Sequence, residues 1–453
     1  MLPSERHAAL ALALIFGIRM FGLFIILPVF SLYADQYPSS TPLLIGLAIG
    51  IYGLLQALLQ IPFGMMSDRI GRKPVIAAGF VLFAIGSVIA ALSDDIYGVI
   101  LGRAMQGAGA VASAIMALAA DLTREEQRTK MMATLGASIG VAFIVSLVVG
   151  PLLVQWMGLS DLFWLTAVAA VLGLLVLYKV VPTPARSCQS GDTKPSWPRM
   201  KALLRDPQLL RLDVGIFVLH FMVSATFLAV PLSIMGAGMP GDEHWKLYLP
   251  ALMLSIAVMV PLIILAEKYG HLRRVFLLAI MGLLVSYLIF WRGYTGHSVW
   301  LLFVGITVFF SFFNTMEAML PSLVSKLAPV EGKGSAMGVY STSQFLGAFC
   351  GGVIGGWIYV HYGPGGLYLA MALIAVAWWL VAYGMQNPHG FKTQLVKVGK
   401  LEPGQANELA SLYAKLSGVR EAVVVADEGV AYLRVDKRRF DQESLKTVSL
   451  QNS

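Results

Sequence analysis

The sequence predicts an all-α membrane protein with twelve transmembrane helices in two pseudo-repeated six-helix halves, followed by a small α+β C-terminal domain of ferredoxin-like order. Three observations predict it. Apolar residues make up 57% of the 453 residues and charged residues only 13%, where a soluble domain carries about 25% charge. Runs of about 20 apolar residues, each long enough to span a bilayer, recur along most of the chain. Features of the first half also return in the second at a nearly constant offset.

The first run starts near His7 and passes Val29 without a small-residue cleavage site, so it reads as a retained helix, 8–34, and not as a removed signal peptide. Runs at 43–66, 74–93, 96–121, 131–157 and 161–181 complete a first half, 1–181. A polar, proline-containing stretch, 182–207, reads as a linker. Runs at 209–236, 244–268, 274–292, 297–327, 334–361 and 365–386 form the second half, 208–388. Pro28, Pro62, Pro231 and Pro261 lie inside these runs. Membrane helices tolerate proline because neighbouring groups satisfy the freed backbone.

The net charge of +8 is a topology signal rather than a nucleic-acid signature. Basic residues cluster on alternate loops: Arg69, Arg72 and Lys73; Arg124, Arg128 and Lys130; Lys179 to Arg211; Lys268, Arg273 and Arg274; Lys326 and Lys333. The opposite loops hold Asp35, Asp94, Asp95, Asp161, Asp242 and Glu243, with few bases. The positive-inside rule puts both termini and the linker in the cytoplasm, as an even number of spans requires. Cys188 and Cys350 are far apart and suggest neither a disulfide framework nor a metal site. No cofactor is expected.

Beyond residue 390 the long apolar runs stop and charge rises. Thr393–Val398, Glu421–Ala426 and Gly429–Val435 read as strands, Pro403–Ser417 as a helix, and Phe440–Val448 as a second helix. The β-α-β-β-α order suggests a ferredoxin-like domain over 391–453 that lacks its last strand. It has no Cys, His or phosphate-binding glycine loop. It reads as a stabilising appendage contacting the membrane part or another protein, or as a ligand sensor.

The second span ends in Gly64-Met-Met-Ser-Asp68-Arg69-Ile-Gly71-Arg72-Lys73, and the eighth in Glu267-Lys268-Tyr269-Gly270-His271, an offset of 199 residues. The eleventh span carries Gly338, Gly347, Gly351, Gly352, Gly355 and Gly356, and the fifth carries Ala137, Ser146, Gly150 and Pro151 at an offset of 201. Two halves from a duplication, with a substrate path between them, follow. The Gly64 to Lys73 segment, Arg103 followed by Gln106, Gly107 and Gly109, and the fifth-span pattern together resemble the major facilitator superfamily. Ala137 and Ser146 stand where that family's fifth-span motif has glycine, and Val154-Gln155 where it ends Gly-Gly.

The resemblance implies alternating access and a conformational latch of Gly64, Asp68, Arg69, Gly71, Arg72, Lys73 and Asp121. Asp68 would face the N-terminus of the eleventh helix, whose dipole carries about half a positive charge, and Arg72 would pair with Asp121. Small residues at helical spacing allow close helix approach. Ionisable groups at membrane depth are costly and mark function, and four stand out: Arg19, Arg103, His220 and Glu317, the last beside Asn314. Glu317 or His220 would carry a proton. Arg19 would hold an anionic substrate group or neutralise Glu317. Gln56, Gln60, Gln344, Tyr52 and Tyr340 would line a path. No phosphate-binding loop for ATP is present. The expected activity is proton-coupled efflux of a small amphiphilic compound from a monomer in the inner membrane. An uptake symporter or uniporter, and a membrane sensor read through the C-terminal domain, remain open, and no enzyme is expected.

Overall fold

The computed structural model describes residues 3–123, 127–182, 203–329, 333–385, 391–398, 403–414, 416–425 and 429–436. Most of the predicted linker, Cys188 and the second C-terminal helix at 440–448 lie outside the described residues. Eleven apolar helical stretches are each long enough to cross a membrane. The last, Gly334–Tyr383, has 50 residues, more than twice what a bilayer needs. It turns at Gly363, where φ is +67°, just before Pro364. That turn makes it two crossings, twelve among the described residues.

The spans are α1 (Pro3–Phe24 and Leu27–Tyr33), α2 (Pro42–Ile70), α3 (Arg72–Ala91), α4 (Ile96–Ala108 and Ala112–Asp121), α5 (Arg128–Met157) and α6 (Leu159–Lys179). They continue with α7 (Pro207–Gly236), α8 (Trp245–Glu267), α9 (Leu272–Thr295) and α10 (Val299–Leu327), then α11 and α12 on either side of Gly363. Thr41, Asp95, Asp206 and Ser298 cap α2, α4, α7 and α10 by accepting backbone N–H groups.

Two spans expected to be continuous are interrupted. In α1 Pro28 has no N–H for the Phe24 carbonyl, and the helix restarts at Leu27. In α4 the chain leaves helical geometry at Gly109–Val111, where Gly109 lies against the backbone of Gly79 on α3.

The helices leave large apolar side chains on the outside: Trp156 is 84% exposed and Leu373 71%. A bilayer is the solvent such a surface fits. Inside, one buried cluster fills the second half from Leu203 to Met385 and takes in Leu147 of α5, and another fills the first half around Phe80 and Ile115.

The halves meet along α2 and α11. A Cβ on Gly46 would lie 2.1 Å from the Gly352 carbonyl oxygen, on Gly50 2.7 Å from that of Phe349, and on Gly53 2.6 Å from that of Phe345. One on Gly356 would lie 2.8 Å from the Pro42 carbonyl oxygen. These contacts sit at the end of the bundle with acidic loops. At the basic-loop end a Cβ on Gly334 or Gly338 of α11, or Gly136 or Gly140 of α5, would meet nothing within 4 Å. The bundle is therefore closed at its acidic end and open at its basic end.

After the spans, β1 (Phe391–Lys397), α13 (Pro403–Ala414), β2 (Val419–Val425) and β3 (Val430–Asp436) follow. The sheet order is β1-β3-β2, with β3 antiparallel to both neighbours. Leu409 and Tyr413 of α13 pack on Ala431 and Leu433 of β3.

Candidate functional site

Three clusters carry the polar chemistry inside an apolar body. The first sits where α2 turns into α3. Gly71 makes that turn with φ +101°, a conformation that favours glycine. Arg72 then begins α3 and reaches three ways: its Nε donates to Asp121 Oδ2 at 3.1 Å, and its Nη1 donates to Ser67 Oγ at 2.8 Å and to Asp68. Lys73 Nζ donates to the Val181 carbonyl at 2.7 Å, tying α3 to the end of α6. The expected Arg72–Asp121 pair is present. Among the described residues Asp68 bonds Arg72 of its own half, and its side chain is 58% exposed. Gly64 approaches Ser113 of α4.

The second half repeats this arrangement, except that the ion-pair partner on the fourth helix of the half is a base, Lys326, where the first half has Asp121. Glu267, in the position of Asp68, accepts from Ser322 Oγ at 2.9 Å and pairs with Lys326 of α10. Arg273 Nη2 donates to the Tyr383 carbonyl at 2.7 Å, as Lys73 does to Val181.

The second cluster lies within the first half. Arg19 of α1 is 1% exposed, donates to Gln56 Oε1 at 3.1 Å, and stands 4.8 Å from the Phe83 ring centroid. Its Nε and Nη1 are buried without hydrogen-bond partners. Arg103 of α4 donates to the Ala48 carbonyl at 3.3 Å and to Gln106 Oε1 at 2.8 Å. Tyr52 lies between the two guanidinium groups, at 5.8 and 5.1 Å. The aromatic faces replace a carboxylate as the countercharge. Arg19 thus contacts α2 and α3, and it makes no ion pair with Glu317 among the described residues.

The third cluster lies in the second half, where α7, α10 and α11 converge. Gln344 Nε2 of α11 donates to Glu317 Oε1 at 3.1 Å and lies 2.9 Å from His220 Nε2. His220 Nε2 is 3.9 Å from Glu317 Oε2. The Glu317 side chain is 39% exposed, yet its Oε2 is buried without a hydrogen-bond partner. Asn314, one turn away on α10, turns instead to Ser255 Oγ of α8 at 3.1 Å. The structure therefore joins Glu317 to His220 and separates both from Asn314, Arg103 and Arg19.

Beside this cluster Phe143 of α5 fills the gap between halves. Its ring centroid lies 5.0 Å from Phe24 of α1, 5.7 Å from Phe310 of α10 and 6.4 Å from Phe227 of α7. The glycines of α11 serve two neighbours: Gly352 and Gly356 face α2, while Gly347, Gly351 and Gly355 face Phe217, Phe221 and Ala225 of α7. Gly150 of α5 meets the Ile25 carbonyl at the break in α1, with Pro151 next to it. Gly338 touches neither helix.

The profile of the Major Facilitator Superfamily matches residues 12–266 and 247–403. The chain belongs to that superfamily. It is 43% identical over 450 residues to the inner membrane transport protein YajR of Escherichia coli (strain K12), covering 98% of each chain. It is 28% identical over 343 residues to the multidrug resistance protein MdtH of Proteus mirabilis (strain HI4320), covering 75% of this chain and 83% of that one. The crystal structure of a D-xylose-proton symporter superposes with a TM-score of 0.72 at 15% identity, covering 85% of this chain and 99% of that one, a likeness of fold alone. This superfamily member is a transporter and not an enzyme, and the three clusters are to be understood as parts of a carrier.

Two residues of the third cluster's surroundings escape a reading of sequence. Ser255 is an ordinary small residue in an apolar run. Asp213 is an acid only seven residues into α7, 8% exposed in the structure. The signal for it is its place inside the span, three residues beyond the helix's capping turn.

Proposed function

We propose that the protein is a secondary transporter that exports a small amphiphilic compound in exchange for protons by alternating access. The observation that carries this reading is the Glu317–Gln344–His220 cluster. A carboxylate and an imidazole share one amide on helices that line the space between halves, with one carboxylate oxygen shielded and the side chain partly open. A carboxylate so placed changes its proton affinity when its surroundings change. The multidrug-resistance name of the MdtH relative supports export.

On this reading the protein is a monomer in the inner membrane with both termini cytoplasmic, and the basic end faces the cytoplasm. The open basic end then makes this the inward-facing state. The domains are the bundle 1–181, the linker 182–207, the bundle 208–388 and the domain 391–453. The sheet order β1-β3-β2 supports a ferredoxin-like character for that last domain.

The α2–α11 seam supplies the latch. Its partners, Gly46 with Gly352, Gly50 with Phe349 and Gly53 with Phe345, run antiparallel in one register. Continued towards the basic end, that register sets Gly338 opposite Ile61 and Gly64 opposite the Gly334–Ser335 turn, and brings Asp68 just ahead of Lys333, where α11 starts. Closing the basic end would bring the Asp68 carboxylate to the positive end of the α11 dipole. Arg69, Arg72 and Lys73, held to Asp121 and Val181, would steady that contact.

The test is substrate-driven proton movement in proteoliposomes with an internal pH dye, run with a compound panel on the intact chain and on Glu317→Gln. A compound that moves protons through the intact chain only is the expected result, and the flux direction separates export from uptake. Proton movement that survives Glu317→Gln overturns the role of Glu317. An uptake symporter or uniporter is the second reading, favoured by Ala137 and Ser146 in place of the family's glycines in α5. A sensor without transport would give no flux, with or without residues 391–453.

A further inference from the structure

Resting on the proton-coupled reading of Glu317, the amide of Gln344 ties the proton count of the cluster to the position of α11. One side-chain nitrogen serves acceptors on two other helices. Gln344 Nε2 stands 3.1 Å from Glu317 Oε1 of α10 and 2.9 Å from His220 Nε2 of α7. An amide nitrogen donates two hydrogens and accepts none. Both hydrogens are therefore engaged, and His220 Nε2 offers its lone pair. Turned over, the amide would set its own oxygen against Glu317 Oε1, acceptor on acceptor, unless that carboxyl held a proton. The arrangement thus belongs to an anionic Glu317 and a neutral His220.

A proton added to this pair disturbs those bonds wherever it lands. On His220 Nε2 it takes the lone pair that Gln344 uses. On Glu317 Oε1 it sets hydrogen against hydrogen, and the amide has to turn over. On Glu317 Oε2, which is buried without a hydrogen-bond partner, it makes a donor that competes for the same lone pair 3.9 Å away. Leaving such a donor unpaired costs free energy. The titratable groups on the surrounding helices are Asp213 on α7, Tyr248 on α8, Tyr287 on α9 and Tyr340 on α11. Among the described residues none of them hydrogen-bonds Glu317, Gln344 or His220: Tyr287 bonds Thr226 and the Met222 carbonyl, and the Tyr248 and Tyr340 hydroxyls have no partner. Arg19 and Arg103 belong to the other half. Gln344 also sits where α11 is seated. One turn on, a Cβ on Gly347 would stand 2.1 Å from the Phe217 carbonyl oxygen of α7. Among the described residues no other side chain of α11 hydrogen-bonds a neighbouring helix.

We propose that Gln344 is the residue that couples protonation to movement: it holds α11 to α7 and α10 while the Glu317–His220 pair lacks a proton, and releases α11 when the pair gains one. The steric fit of the α11 glycines on α2 and α7 does not depend on pH, so the amide is what makes the seating of α11 sensitive to the proton. Gln344 binds no proton itself and need not touch substrate. It is a positioning residue that acts through α11.

Proton binding and helix position are measured side by side on the full chain in lipid nanodiscs, without a substrate. Proton uptake is titrated with a soluble pH dye in weak buffer. Spin labels at Ile70→Cys and Ser335→Cys, in a chain without Cys188 and Cys350, report the separation at the basic end. With Gln344 present both change with pH, and Glu317→Gln removes the uptake component and the label response together. Gln344→Met has a similar shape and no N–H groups. It is expected to keep the Glu317-dependent uptake and move it to higher pH, because a donor to the ionised carboxylate is gone. Its label separation no longer changes with pH. His220→Phe removes the acceptor instead of the donor and is expected to lose the label response as well. A purely structural role would lower Tm in Gln344→Met and leave the labels following proton uptake. Labels that still follow uptake in Gln344→Met, or in His220→Phe if Gln344→Met does not fold, overturn the coupling role while Glu317 remains the proton site. Glu317-dependent uptake with no label response in the parent chain overturns it too. Absence of any Glu317-dependent uptake overturns the proton reading and the coupling together.

Discussion

Gly46 and Gly352 meet backbone to backbone across the two halves. A Cβ on Gly46 would stand 2.1 Å from the Gly352 carbonyl oxygen, and one on Gly352 would stand 2.3 Å from that of Gly46. Neither helix has a flexible side chain at this point that can move aside. Gly352→Val therefore disfavours closure at the acidic end and shifts the population to the state open there. A change of about 1.4 kcal/mol moves the ratio tenfold, and a clash between backbones exceeds that. Spin labels at Ile70→Cys and Ser335→Cys, in a chain without Cys188 and Cys350, are expected to move closer in Gly352→Val. An unchanged distance distribution rules the seam out as a state-determining contact.

Gly338 should behave in the opposite sense. Nothing lies within 4 Å of its missing Cβ in this state, so a side chain costs little here. In the register of the seam it faces α2 only when the basic end closes. Gly338→Leu is expected to leave thermal stability unchanged and to lengthen the mean separation of the same labels. Transport falls because one of the two states is lost. A fall in stability without a population shift would mean that Gly338 packs locally.

Most of the span architecture is legible from run length, because lipid demands about 20 apolar residues whatever their order. The turn at Gly363-Pro364 is legible too, since both residues end helices. The break in α1 is not: Pro28 is compatible with a continuous membrane helix, and the close approach of Gly150 to the Ile25 carbonyl is a contact between helices that the sequence does not announce. The site is legible in its members and not in its pairings. Arg19 and Glu317 are both isolated charges in apolar runs, which invites pairing them. Yet Arg19 belongs to Gln56 and Phe83 in one half, and Glu317 to Gln344 and His220 in the other. Helix spacing tells which residues share a face, and it carries no information about which faces of distant helices meet.

The two loop clusters separate burial from charge. Arg72 and Asp121 have side chains only 12% and 8% exposed, while Lys326 and Glu267 are 35% and 37% exposed. Asp121→Asn takes from the enclosed Arg72 its one buried carboxylate and leaves it only the exposed Asp68 and Ser67, so it is expected to cost about 1–3 kcal/mol. Lys326→Met breaks a pair open to water, worth about 0–1 kcal/mol. Thermal unfolding in detergent is expected to show a clear drop in Tm for the first and little change for the second. Equal drops would mean that the loop after α8 is enclosed by something more than its own helices.

Arg19 supplies the sharpest contrast between stability and activity. Two of its donor atoms are buried without partners, and its charge is balanced by aromatic faces and one amide. Burying a guanidinium in this way costs free energy that a methionine of similar shape does not. Arg19→Met is therefore expected to keep or raise Tm. If the folded state retains the charge only for packing, transport per folded molecule would also be kept. The expectation is the reverse: transport falls by about tenfold or more, because an ionisable group at this depth, held without a countercharge, is retained for function. The measurement is Tm by intrinsic fluorescence alongside substrate-driven proton flux on the same preparation. A lowered Tm with full flux would assign Arg19 to the structure of the first half alone. A kept Tm with lost flux would make it part of the transport cycle, in the opposite half from Glu317, so that the contacts between the halves, the α2–α11 seam and Phe143 among them, would have to couple the two.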